Sequence, residues 1–330
     1  MFHSLGRSLA LVYILFLSTT VLQGQAFRPE PYARNITSKE LTYHIEYLTD
    51  SLLQGRETGT PGAVAACAYV MEKFKQYGLL PVGHGVSTTA HPSYIQGFMC
   101  NQTKRGRNVV GCFPADVPGH DEYIIVSAHY DHLGIINGIR YPGADSNASG
   151  LSVLLTLART LGQMKKDGVL FTHNILFVAY DAKEYSMAGA RAFAHSLPIL
   201  PEHISANINI DQMGTILAPP SRSTDYVLVL GASTLPPHLL RSLNNSNFYY
   251  NVGLEIDYSF YNSPAFADIY FSMTEQFWLS QKNVPSLLIT SGVHDHTYKP
   301  TDSPDIIETQ VLKKRTQWLF FFIWDLVQRL

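Results

Sequence analysis

The sequence predicts one α/β domain with a central mixed, mostly parallel sheet and helices on both faces. Three observations predict it. Short apolar runs alternate with amphipathic helical stretches from residue 108 onward, the pattern of strands joined by crossover helices. The 330 residues are 46% hydrophobic, with no internal repeat or low-complexity linker to divide them, which suits one large core. His129, Asp145, Glu184 and Asp211 each stand at or just past the end of an apolar run, and open α/β sheets bind ligands at the carboxyl ends of their strands.

The first 26 residues read as a targeting signal. Arg7 supplies a positive start, Leu9 to Leu17 an apolar stretch, and small residues near Gly24 to Ala26 a cleavage site. The apolar stretch falls short of the roughly 20 residues that span a bilayer. The expected product is an exported domain, 27–330, periplasmic or extracellular, with no transmembrane span after cleavage. An uncleaved anchor is the competing reading.

The mature chain opens with a helix. Thr37 and Glu40 form a capping box, and Leu41, Ile45, Leu48 and Leu52 make its apolar stripe. The turn-rich GRETGTPG follows. A second helix starts near Pro61 and stops at Gly78. Residues 82–105 are polar and read as a loop or an edge insertion. Strands are expected at Asn108 to Gly111, Tyr123 to Ala128, Asn174 to Tyr180, Ala206 to Ile210, Tyr226 to Gly231 and Pro285 to Thr290. Helices are expected at Ala148 to Met164, Met187 to Ser196, Pro236 to Leu243 and Asp305 to Arg329. The last contains WLFFFIW, too short to cross a membrane before Asp325 and Arg329, so it should pack on the sheet.

Net charge −2 and the absence of a long basic run exclude nucleic acid as the main partner. Cys67 lies in a helical stretch and reads as a buried thiol. Cys100 and Cys112 are close enough in sequence to form a disulfide in an exported chain.

A hydrolytic metal site needs imidazole and carboxylate ligands and a group that activates water. His129 ends an apolar strand and is followed by Asp131, a carboxylate suited to fixing its ring. Asp145 sits in PGADSNASG, where it is either a ligand or a helix cap. Glu184 and Asp211 follow apolar runs, so each is paired or metal-bound.

The segments GRETGTPG, GRNVVG, SAHYDHLG, GADSNASG, FVAYDAKEYSMAGARAF, NINIDQMG and HTYKPTD together resemble the exported zinc aminopeptidase and glutaminyl cyclase-like metallopeptidase family. The resemblance runs from about residue 55 to residue 305. It implies that His129, Asp145 and Asp211 hold one zinc, with Asp145 bridging to a second held by Glu184 and a C-terminal histidine. It also implies that Asp131 orients His129 and that a glutamate just before Glu184 is the general base.

This sequence departs from that pattern. The base position is Lys183, and an ammonium has no lone pair to accept a proton. The histidine position is Tyr298, whose phenol is a poor ligand near neutral pH. His294 and His296 lie nearby, with His296 the weak substitute. Ser146 replaces a frequent Asp, and Thr274, Glu275 and Gln276 stand where the family tends to carry Ser-Asp-His. The expected cofactor is zinc, one ion or two. The expected function is a secreted metal-dependent aminopeptidase-type hydrolase with an altered site, acting on peptide or aminoacyl substrates. The alternative is a catalytically impaired member acting as a binding or scaffold protein. A glutaminyl cyclase-like acyl transfer is weaker, since it needs the ligands that are missing.

Overall fold

A computed structural model describes residues 27–82, 93–217 and 223–328. The targeting segment expected at 1–26 lies outside the described residues. The elements used below, in chain order, are α1 (Ser38–Thr49), α2 (Pro61–Tyr77), β1 (Leu80–Pro81), β2 (Ile95–Met99), β3 (Arg105–Phe113), β4 (Tyr123–His129), β5 (Gly134–Ile136) and β6 (Ile139–Tyr141). They continue with α3 (Gly150–Lys166), β7 (Asn174–Tyr180), α4 (Ala188–His195), β8 (Ile204–Ile210), β9 (Tyr226–Leu230) and α5 (Pro237–Tyr249). The last are β10 (Glu255–Asp257), α6 (Pro264–Ser272), β11 (Ser286–Thr290) and α7 (Thr309–Val327).

Nine described strands form one sheet in the order β1-β3-β7-β4-β8-β11-β9-β10, with β2 on the outer edge of β3. The four central strands β7, β4, β8 and β11 run parallel. Strand β3 is antiparallel to β7, and β9 is antiparallel to β11. This is the single mixed α/β domain that the alternating pattern predicts.

Strand alternation divides the apolar residues between two faces. Ile124, Val126 and Ala128 of β4 join the larger cluster with α1, α2, α3 and α7. Ile125 joins the smaller cluster with Phe193 of α4. Each such buried Val or Ile contributes about 1.5–3 kcal/mol relative to exposure. Leu228 and Leu230 of β9 pack with Ala267 and Tyr270 of α6 in a third cluster. The C-terminal helix packs as expected, with Trp318, Phe320, Phe322 and Ile323 buried. No helix of the described residues is long and apolar enough to cross a membrane.

The helix stop holds and the capping box forms by half, since the Glu40 carboxylate turns to Arg159. The Thr37 side chain accepts the Glu40 N–H at 3.2 Å, and Gly78 closes α2 at φ +89°, a left-handed conformation that suits glycine. Part of the segment expected as a loop or edge insertion forms the edge strand β2, antiparallel to β3. The long helix expected from Ala148 starts at Gly150. Residues 144–149 form a wide turn in which Ser146 and Asn147 leave helical geometry.

Cys100 and Cys112 are free, as is Cys67. The hairpin register explains it. The Cys100 amide bonds the Lys104 carbonyl beside the turn, while Cys112 lies eight residues further along β3, roughly 25 Å at strand rise. That is well beyond the Cα separation of a disulfide.

Candidate active site

The carboxyl ends of β4, β7, β8 and β11 open onto one rim, and the predicted residues sit there. His129 is the last residue of β4. Asp181, Lys183 and Glu184 follow β7, Asp211 follows β8, and His294 follows β11. His129, Asp131, Asp145 and Asp211 are fully buried.

One group converges on Asp211. Lys183 Nζ donates to Asp211 Oδ2 at 2.8 Å. His129 Nε2 lies 3.4 Å from Asp211 Oδ1. His129 Nδ1 lies 3.1 Å from the Asp131 carbonyl, which can only accept, so Nδ1 carries a proton. Burial and Lys183 push the His129 pKa down, but Glu275, Asp131 and Asp211 outweigh them and raise it to about 10. The His129 ring and the Lys183 ammonium therefore flank one carboxylate. Burial pushes the Asp211 pKa up, yet Lys183 and His129 hold it well below the usual carboxylate range. Burial likewise opposes the Lys183 charge, and Asp211, Tyr298 and Glu275 raise its pKa well above the ordinary lysine value.

Asp131 orients more than a ring. Its Oδ1 accepts the Lys183 N–H at 3.0 Å and its Oδ2 the Glu184 N–H at 3.3 Å, so it pins the backbone after β7. Its contact with His129 runs mainly through its own carbonyl, since the carboxylate is 3.6 Å from Nδ1. Thr58 donates to the neighbouring Asp181 at 2.8 Å. Burial and Asp131 raise the Asp181 pKa to about 6.

Asp145 belongs to a different group. Its Oδ1 accepts the Gly214 N–H at 2.6 Å and the Ser149 hydroxyl at 2.8 Å, and its Oδ2 meets His294 Nε2 at 3.0 Å. The His296 N–H donates to His294 Nδ1 at 3.2 Å. His294 Nε2 therefore carries the proton given to Asp145. Asp302 accepts the Asp145 and Ser146 N–H groups at 2.7 and 3.0 Å. The structure thus gives Asp145 loop-holding partners and leaves the neighbouring Ser146 hydroxyl buried without a hydrogen-bond partner.

It is His294, and not His296, that reaches the buried groups. His296 Nδ1 bonds Thr301 at 2.9 Å on the outside of the loop. Tyr298 stacks on His132 with ring centroids 6.3 Å apart and planes 7° from parallel. Glu184 Oε1 lies 3.6 Å from His132 Nδ1 and has no hydrogen-bond donor.

Two supports were illegible in the sequence. Arg56, from the turn-rich GRETGTPG, is fully buried and donates to the carbonyls of Leu48, Tyr130, Pro142 and Gly143. It ties the loop after β4 to the loop before the wide turn. Burial lowers its pKa to about 10. Arg315 of α7 donates to the carbonyls of Met213, Thr215 and Tyr226 and fixes the loop after β8. An arginine next to glycine in a turn was the signal available for Arg56, while Arg315 follows Lys313 and Lys314 and carried none.

In favour of zinc, His129 Nε2 and Asp211 Oδ1 are buried and unbonded. Against it, the second Asp211 oxygen carries Lys183, Asp145 is engaged elsewhere, and Tyr298 faces His132. Among the described residues no three His, Cys, Asp or Glu side chains are grouped to hold a metal. The residues present do not fit a two-metal centre.

A family model, peptidase family M28, matches residues 108–322. Aminopeptidase YwaD of Bacillus subtilis is 31% identical over 116 residues, 35% of this chain and 23% of that protein. The uncharacterized protein YfbL of Escherichia coli is 30% identical over 156 residues, 46% of this chain and 41% of that one. The chain thus covers less than half the length of either relative. Among solved structures, BSAP, a zinc aminopeptidase from Bacillus subtilis, superposes with a TM-score of 0.67 at 14% identity, covering 88% of this chain and 96% of that one. Glutaminyl cyclase of Porphyromonas gingivalis gives 0.65 at 16% identity, covering 88% and 99%. At such identities the structural likeness speaks to the fold.

Proposed function

This chain belongs to peptidase family M28, whose fold serves aminopeptidase-type hydrolysis, and from that premise we propose that it is a non-hydrolytic member which keeps the cleft for binding peptides. The observation that carries the reading is the 2.8 Å contact between Lys183 Nζ and Asp211. An ammonium stands where the family resemblance puts a general base. It sets a positive charge against Asp211, on the side where a metal ion would bring its own. General-base catalysis is typically worth 10²–10⁴-fold, and Lys183 removes the carboxylate that the family resemblance places there, while Glu184 and Glu275 each keep one unbonded oxygen. Asp131 is held by two backbone amides. Asp181 is held by Thr58 and the Arg107 amide.

What the remaining side chains do is hold the rim in shape. Asp131 fixes the backbone of Lys183 and Glu184, Asp302 fixes that of Asp145 and Ser146, and His294 clamps Asp145. Glu184, with an unbonded oxygen, is a carboxylate available to a peptide's free amino end. Export with cleavage near Ala26, leaving 27–330, is part of the same proposal, checked by N-terminal sequencing of the secreted chain.

The test combines three measurements on the purified protein. Zinc content should be far below one ion per chain, aminoacyl amides should not turn over, and calorimetry with short peptides should give saturable heat weakened by Glu184→Gln. Stoichiometric zinc with turnover removed by a chelator would overturn the proposal. A second reading, a one-zinc exopeptidase, is favoured by the unbonded His129 Nε2 and Asp211 Oδ1, 3.4 Å apart. The zinc measurement decides between them.

A further inference from the structure

Strands β2 and β3 form a hairpin at the edge of the sheet, in register from Ile95 opposite Val109 to Met99 opposite Arg105. Residues opposite each other share a face, and alternate residues return to it. One face therefore carries Ile95, Gly97 and Met99 beside Arg107 and Arg105. Gly97 stands across from Arg107 and contributes no side chain to the space between its neighbours. Two adjoining hollows of about 330 and 340 Å³ open on this hairpin, and both are bordered by Arg105 and Arg107. The first continues over Ile95 and Met99, the second over Thr103 and Lys104. Each has the size of a small-molecule site.

The charge here has one sign. No aspartate or glutamate borders either hollow. Lys104 is answered by Glu57 at 2.6 Å. Asp181 accepts the Arg107 N–H at 2.9 Å, a contact with the backbone. Among the described residues neither guanidinium makes a hydrogen bond or an ion pair. Met99 beside them is 51% exposed, so an uncovered apolar side chain adjoins two unanswered cations.

We infer that this hairpin face binds a small organic anion, a carboxylate on an apolar aryl or alkyl body, with the carboxylate at Arg105 and Arg107 and the body over Gly97 against Ile95 and Met99. A guanidinium presents a planar fork of donors that matches a carboxylate in bidentate fashion. An exposed ion pair by itself is worth little, so the apolar hollow supplies the rest by excluding water. An ammonium would meet two like charges. An anion without the apolar body would lose the second contribution. The inference does not depend on how the rim is read, because none of these residues belongs to the candidate site there.

The probes are 3-phenylpropionate, 3-phenylpropanol, 3-phenylpropylammonium and acetate, titrated into the full chain with its methionine and isoleucine methyls observed by NMR. The Met99 and Ile95 methyls should shift saturably with 3-phenylpropionate. That binding should be at least about fivefold tighter than the binding of the alcohol or of acetate, and the ammonium should not bind. The double variant Arg105→Gln, Arg107→Gln should remove the preference for the carboxylate over the alcohol. Because neither guanidinium bonds to the rest of the fold, the variant should keep its melting temperature. Binding of no probe, equal binding of the three aryl probes, acetate as tight as 3-phenylpropionate, a preference that survives the double variant, a lowered melting temperature, or ring contacts away from Met99 and Ile95 would each overturn the inference.

Discussion

The two ends of the same central strands handle charge in opposite ways. At the carboxyl ends of β4, β7 and β8, the ionised groups answer one another. Lys183 and His129 face Asp211, and backbone amides hold Asp131. At the amino ends of β4 and β8, Glu122 meets Ser205 and His173 at an exposed mouth and borders a space. The difference teaches what burial does to an ion pair. Buried charges must be answered within the chain, because each costs heavily when left alone. An exposed pair is screened by water and is worth little.

The sharpest way to break the comparison is to remove Lys183. Lys183→Met would leave Asp211 buried with His129 as its remaining cation. Losing one member of a buried pair costs about 3–5 kcal/mol, measurable by urea unfolding at pH 7. The sign with pH is fixed. Asp211 has a depressed pKa, so its stabilisation is present above the ordinary carboxylate pKa and fades as pH falls below it. The gap between wild type and variant should therefore narrow towards pH 3. A gap that is absent at pH 7, or that widens in acid, would separate Lys183 from the stability of the rim.

Asp302 gives the next largest effect, with the opposite sign. Burial and Asp145 raise its pKa to about 6. A raised carboxylate favours the folded state while protonated, so stability attributable to it falls as pH rises from about 4 to 6. The distance between about 6 and the ordinary 3.8 sets a ceiling of about 3 kcal/mol on that fall. Asp302→Asn should flatten the wild-type slope over that window. Equal slopes would show that the charge is solvated.

Converting the rim back sharpens the same contrast. The triple variant Ser146→Asp, Lys183→Glu, Tyr298→His replaces the built-in cation with carboxylates and a histidine. Its melting temperature should rise on adding zinc, by the equivalent of about 2.7 kcal/mol at a hundredfold excess over Kd, while the wild type stays unmoved. Zinc stabilisation of the wild type of the same size would end the non-hydrolytic reading. The smallest effect belongs to the opposite pole. Glu122→Gln, at an exposed position, should change stability by no more than about 0.5 kcal/mol, and a larger loss would mean that the carboxylate holds the fold together.

Much of this was legible along the chain. Apolar runs named the central strands to within a residue or two, because both faces of those strands are covered and their sequences must be apolar throughout. The residues after those runs had to share a rim, since parallel strands end on the same side. His129, Asp131, Lys183 and Asp211 lie at one rim, while Asp145, expected beside them, takes other partners. That Lys183 occupies the base position was legible only against the family resemblance, which places a glutamate there.

Other features were not legible. Asp145 and Ser146 are adjacent in the chain, yet a wide turn sends one carboxylate to the Gly214 amide, Ser149 and His294 and leaves the next hydroxyl unbonded. His294 and His296 differ by two residues, and only the fold of their loop decides which ring reaches Asp145. Cys100 and Cys112 looked close in sequence until the β2–β3 register carried them apart.

The sequence by itself determined the strand order of chemistry and the sign of each charge, because periodicity and residue type are properties of the chain. The tertiary structure alone decided which oxygen faces which nitrogen, where Arg56 and Arg315 spend their donors, and which face of the sheet each helix covers. Those outcomes depend on loop geometry and on packing between elements distant in sequence, where a rotation of one turn redirects a side chain by its full length.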